Sequence, residues 1–212
     1  MTPPIVVCTL GSPSLRVLEA SIAAYAPDTE FFNAKFPRST FGQCYNELMA
    51  EVFSMHYDEI LIANDDIVLH PSTLTELMED VAICKKRHGD KLGLVAVHSD
   101  YVRPAQDIRL YARCELREVP VVAPILAWIS KKAFKDAPFP PLNWYSDDIQ
   151  CFDLTKKGYH HYVSRAYVHH AGSQTIGRDN ARSHNEAVPW ILANRPDFFP
   201  SRGMHHVTQT AA

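Results

Sequence analysis

Glycine is scarce in this chain, with eight among 212 residues, and no GxGxxG follows an apolar run. A dinucleotide cradle built on closely spaced glycines is therefore excluded. One segment, 172–179, has glycines at phosphate-loop spacing, but it offers Arg178-Asp179 where Lys and Ser/Thr are required. GxSxG and HExxH are missing as well, which removes two familiar hydrolase arrangements. Cysteine is no more abundant. The five present are widely spaced and form no CxxC pair, which excludes a zinc ribbon and a disulfide framework and fits a reducing cytoplasm. No apolar run approaches the roughly 18 residues of a membrane span. The N-terminal MTPPIVVCTLGSPS carries no basic region and does not read as a secretory signal, so the expected location is cytoplasmic.

What is present is ordinary globular material, 46% hydrophobic and 21% charged, enough for one well-formed core and against disorder as the main state. Charge is distributed unevenly behind a net value of −3. Residues 156–212 hold seven Lys/Arg against Asp179, Glu186 and Asp197, together with seven of the eleven histidines. A basic, His-rich end beside an acidic body suits an anionic ligand such as a phosphate. The same pattern also describes a solvated surface of uneven charge.

Hydrophobic patterning divides the first third into alternating strands and helices. Strands are expected at 4–10, 29–34 and 58–64, and helices after Ser12-Pro13, over 39–55 and from Ser72 to Gly89. In 39–55, Tyr45, Leu48, Met49 and Val52 share one face. Residues 65–72 read as a turn. Further strands are expected at 91–99, 119–130 and from His160 onward, around an irregular Arg-rich stretch at 103–118, with a helix at 146–158. Strand–helix alternation argues for a mainly parallel sheet covered by helices. One domain over 1–180 is expected, followed by a helical or irregular tail over 181–212. There Ser183 and Glu186 read as a capping box, with Pro189 inside the helix they would start.

Three segments carry chemistry. In ILIANDDIVLH (60–70), an apolar strand ends in Asn64-Asp65-Asp66, placing polar groups at the carboxyl edge of a parallel sheet, where open α/β sheets bind ligands. Carboxylates there are hard oxygen ligands for Mg²⁺ or Mn²⁺, although such turns also serve simply to satisfy backbone N–H groups. In NWYSDDIQCFDLTKKGY (143–159), Asp147 and Asp148 open a helix beside aromatic residues. They suit either a general base or plain helix-start electrostatics. In YVHHAGSQT (167–175), paired histidines stand at a strand end before a glycine, better placed as ligands than a lone core histidine.

Taken in order, these segments resemble the family 2-type glycosyltransferases of GT-A fold. FGQCYNELMAEVFSMHYDEILIANDDIVLHPSTLTEL is similar to that family's core helix, strand and DxD-like turn. APILAWISKKAFKDAPFPPLNWYSDDIQCFDLTKKGY is similar to its acceptor-side segment with the "ED" element, and AYVHHAGSQ to its closing His element. The resemblance runs from about residue 4 to 175. It implies an α/β fold with a mainly parallel mixed sheet and helices on both faces. It also implies an inverting transferase that uses Mn²⁺ or Mg²⁺ to move a sugar from a nucleoside-diphosphate donor, a UDP-sugar first among them, to an acceptor hydroxyl.

Carried over position by position, the resemblance implies Asp66 and His169 as metal ligands, with His170 in reserve if the register slips by one. It implies Asp148 as catalytic base, with Asp147 serving the helix start. Thr9, Asn33, Gly42, Asn46, Asn64, Asp65 and Arg178 would lie around the donor. The first DxD position is Asn and the "ED" pair is Asp-Asp, both departures from the family pattern. The acidic residue usual after the second strand is replaced by Asn33, leaving the donor base open. The acceptor is open too, a hydroxymethylated base in DNA being one class that suits a compact enzyme. A related nucleotidyltransferase and a non-catalytic nucleotide-sugar-binding module are the competing readings.

Overall fold

The computed structural model of the protein describes residues 2–35, 39–111, 115–172 and 180–204. Eight strands form one sheet: β1 (Ile5–Thr9), β2 (Phe31–Lys35), β3 (Glu59–Ala63), β4 (Ile67–Leu69), β5 (Leu92–Ser99), β6 (Arg117–Val119), β7 (Leu126–Ser130) and β8 (His160–His170). The helices are α1 (Ser14–Tyr25), α2 (Phe41–Met55), α3 (Thr73–His88), α4 (Lys131–Asp136), α5 (Ser146–Lys156), α6 (Asn180–Asn194) and α7 (Phe198–Ser201). The strand order is β2-β1-β3-β7-β5-β8-β4, with β6 also on β8. Strands β2, β1, β3, β5 and β8 run one way and β7, β4 and β6 the other, so the sheet is mixed and mainly parallel.

Alternation along each strand builds two cores. Val6, Ile60, Ile62, Leu94, Ala96 and Ile129 face the layer of α2, α4 and α5, while Ile5, Val7, Leu61, Val95, Val97 and Trp128 face α1 and α3. Both faces are thus covered, and central strands such as β1 and β5 are buried throughout. A third cluster joins Ile149 of α5 to Ala187 and Ile191 of α6 and to Phe198 and Phe199 of α7. Among the described residues no helix is long and apolar enough to cross a membrane.

Three local expectations change. The turn read at 65–72 contains β4, which pairs antiparallel with the end of β8. Its three residues are too few to show a period. The strand read over 119–130 divides into β6 and β7 with an irregular segment between them, because Pro120 and Pro124 each remove a ladder donor. Ser183 lies inside α6 rather than at its start, and Pro189 is accommodated within that helix.

Candidate active site

The strands β1, β3, β5 and β8 share a direction, so Thr9, Ala63, Ser99 and His170 all stand at one edge of the sheet. Helix α2 helps to shape that edge. It starts with a reciprocal cap between Thr40 and Gln43, and one turn later Tyr45 donates its hydroxyl to the Ala63 carbonyl at 2.6 Å. That bond holds the end of β3, from which Asn64, Asp65 and Asp66 emerge. Asn64 is half-buried and donates its N–H to the Ile125 carbonyl. Asp65 is buried and accepts the Thr9 hydroxyl at 2.6 Å, joining the ends of β1 and β3.

Asp66, also buried, meets His170, whose Nε2 lies 3.1 Å from Oδ1. The pairing of Ile67 with His170 brings the residue before β4 against the residue after β8, and Asp66 accepts the Ala171 N–H on its carbonyl. Adjacent strand residues face opposite ways, so the convergence expected of Asp66 with His169 falls to His170. His169 is exposed, its Nδ1 2.7 Å from Asp100 Oδ2. Burial alone would push the His170 pKa down, but the bond and charge of Asp66 bring it above the usual value. His170 Nδ1 lies 3.1 Å from the Tyr101 carbonyl. Such a contact is the one that directs Nε2 of a ligand histidine toward a metal. A buried carboxylate oxygen and an oriented imidazole nitrogen therefore fit a divalent cation between them.

The loop after β5 connects this corner to the aspartate pair. Asp100 accepts the His170 N–H at 3.1 Å, and Tyr101 follows in the left-handed region at φ 53°, unusual for a residue with a side chain. Two residues on, Arg103 donates to Asp147 at 2.6 Å and to both oxygens of Asp148 at 3.1 and 3.2 Å. Arg202, just after α7, adds a 2.7 Å bond to Asp148. Asp147 and Asp148 thus converge on one guanidinium, and Asp147 also accepts backbone N–H groups at the start of α5. Burial, with the neighbouring Asp148 charge, pushes the Asp147 pKa up to about 6 against the pull of Arg103. Burial acts on Asp148 too, but Arg103 and Arg202 hold it below the usual carboxylate range.

Gly42 and Asn46 support the loop leading to this pair. A Cβ on Gly42 would lie 1.7 Å from the Pro140 carbonyl oxygen, so only glycine lets α2 approach so closely. The Asn46 amide donates to the Phe139 carbonyl and accepts its N–H, at 2.8 and 3.0 Å. Tyr145, at φ 65°, completes the entry into α5. Asn33 lies exposed within β2 opposite Val7, whereas Lys35 is the residue paired with Thr9 at the strand's end. Arg178 lies outside the described residues. Asp100, Arg103 and Arg202 were not singled out by sequence reasoning. For Arg103 the signal was its place at the head of the Arg-rich stretch after a strand; Arg202 had none beyond the basic end.

No family profile matches the chain, and no curated protein sequence does. Solved structures do. The S. aureus TarS 1-349 fragment matches with a TM-score of 0.56 at 12% identity, over 91% of this chain and 65% of that one. GalNAc-T7 with UDP, GalNAc and Mn²⁺ matches with a TM-score of 0.56 at 11% identity, over 95% and 44%. A197 from STIV matches with a TM-score of 0.54 at 14% identity, over 77% and 81%. The fold is that of the GT-A glycosyltransferases. This chain spans most of A197, about two thirds of the TarS fragment and under half of GalNAc-T7. What the GT-A proteins share with it is the fold, rather than the narrower family 2-type grouping that the sequence resembles.

Proposed function

We propose that the protein is an inverting, divalent-metal-dependent glycosyltransferase that moves a sugar from a nucleoside-diphosphate donor to an acceptor hydroxyl. The observation that carries this reading is the sharing of one sheet edge by the Asp66–His170 corner and the Asp147–Asp148 pair, through the short loop from Asp100 to Arg103. A metal ion and a base are the two requirements of such a transfer. That solved structures of the same fold include TarS in complex with UDP, and GalNAc-T7 with UDP, GalNAc and Mn²⁺, supports a nucleoside-diphosphate donor, with a UDP-sugar favoured.

Asp66 and His170 would hold Mn²⁺ or Mg²⁺, which when bound neutralises charge on the departing diphosphate. Asp65 holds Thr9 in place, which joins the ends of β1 and β3 into one wall for the nucleotide. Asp148, kept ionised by its two arginines, takes the proton of the attacking hydroxyl. One displacement from the face opposite the diphosphate inverts the anomeric centre. Asp147 is the alternative base, because burial raises its pKa toward neutral working pH.

Thermal unfolding with UDP and UDP-sugars, with Mn²⁺ and then with chelator, tests the reading. At a ligand concentration of 100 times Kd the native state gains about 2.7 kcal/mol. The metal-dependent part of that gain should vanish in Asp66→Asn, together with donor turnover. Equal nucleotide binding and turnover in chelator, or in the variant, would overturn the proposal.

A further inference from the structure

We propose a second metal site, for a zinc-type divalent ion, formed by His88, Glu118 and His160 at the other end of β8. Three elements bring these residues together. His88 ends α3, Glu118 is the middle residue of β6, and His160 is the first residue of β8. In the β6–β8 ladder Glu118 stands opposite Tyr162, and His160 lies two residues before Tyr162, hence on the same face. Tyr162 belongs to the core shared with α3, so that face looks toward the helix end carrying His88.

The side chains form a closed set. His160 Nδ1 lies 2.6 Å from one Glu118 oxygen, and the Tyr162 hydroxyl donates to the other at 3.0 Å. His88 Nε2 lies 2.6 Å from the same hydroxyl, and the two imidazoles stack with centroids 4.0 Å apart. One ligand atom from each of His88, Glu118 and His160 falls within 4.8 Å of the other two. Tetrahedral zinc with ligands at 2.0–2.2 Å places them about 3.4 Å apart, so side-chain rotations suffice to close the site. Two imidazole nitrogens and one carboxylate oxygen form a donor set suited to Zn²⁺ and its borderline neighbours, not to oxygen-seeking Mg²⁺ or Ca²⁺. Arg87 reaches the Tyr162 hydroxyl as well. That positive charge disfavours a cation held by charge alone and leaves nitrogen ligation to decide.

The side chains of His160 and Glu118 are about half exposed, which leaves an entry path and a fourth position for water. Tyr162, bonded to Glu118, would orient the ligand carboxylate. The site stands at the start of β8 and His170 at its end, so it is independent of the Asp66–His170 corner. Its effect would be structural: an ion there pins the short strand β6 and the end of α3 to β8.

The test is a Co²⁺ titration of the chelator-stripped full chain, read by visible d–d absorption and followed by displacement with Zn²⁺. Circular dichroism verifies that each variant is folded. One equivalent should give a low-symmetry, intense band in the parent chain and in Asp66→Asn alike, whatever further Co²⁺ the Asp66–His170 corner takes. Tyr162→Phe should weaken binding by about 10–100-fold, and the double variant His88→Gln/His160→Gln should lose the band. Glu118→Gln, nearly the same size, should weaken the site without disturbing the fold. Absence of the band from the parent chain, its persistence in the folded double variant, or its loss in Asp66→Asn would overturn the proposal.

Discussion

Two adjacent aspartates in nearly the same place behave differently because of the cations around them. Asp148 touches two guanidinium groups and Asp147 one, so the first is held below the usual carboxylate range and the second is pushed up to about 6. A general base must be ionised, so activity falls as pH drops through its pKa. With Asp148 as base, the transfer rate should stay level down through the ordinary carboxylate range. With Asp147, it should fall below about pH 6. Asp148→Asn should depress transfer by roughly 10²–10⁴-fold while leaving donor affinity nearly unchanged. A near-normal rate in that variant beside a dead Asp147→Asn would move the base by one residue. His161 gives a second pH signature. It is buried, accepts the Leu94 N–H on Nδ1 at 3.1 Å, and burial lowers its pKa to about 4. The unfolded chain binds the proton first, so this stabilisation is complete above about pH 6.5 and is lost as pH falls toward 4. It amounts to about 3 kcal/mol. Acid-unfolding curves of His161→Gln should be flatter across that window; an unchanged slope would remove His161 as the cause.

At the scale of elements, the contact between α2 and the loop before α5 sets the geometry of the pair. Gly42 allows the approach, its N–H bonds the Leu142 carbonyl, and Ser146 donates to Pro140. Gly42→Ala forces a methyl group into a backbone carbonyl. It should cost about 1–3 kcal/mol of stability, as overpacking does, and lower transfer more than nucleotide binding, because the displaced loop leads directly into Asp147 and Asp148 at the start of α5. Thermal unfolding and the separation of KM from kcat verify this; equal losses in binding and turnover would argue against it. Helix α2 was readable because Tyr45, Leu48, Met49 and Val52 recur on one face, and all four are buried. β4 was not, since a three-residue strand shows no period and owes its existence to the end of β8.

The whole molecule shows how a chain at 11–14% identity to these solved structures can share their fold. Strands that alternate between two apolar layers tolerate many residues, provided that each face stays filled. Carboxyl ends of parallel strands then stand together whatever the residues between them. The third cluster attaches the C-terminal helices to α5, which brings Arg202 to Asp148 from 54 residues away. Long-range contacts of this kind leave no local trace in sequence.

The sequence by itself determined the strand–helix alternation, the mainly parallel sheet, and the placement of Asn64-Asp65-Asp66 at the end of an apolar strand. Those follow from periodicity and from where apolar runs stop, both local properties. Only the tertiary structure decided which histidine meets Asp66, because antiparallel register selects His170 and turns His169 outward. It also decided that Arg103 gathers both aspartates, and that Gly42 and Asn46 hold the loop beside them. The physical reason is the same in each case. A strand's two-residue period makes facing a matter of register between distant segments, and a charge acts on whichever groups folding brings within a few ångströms of it.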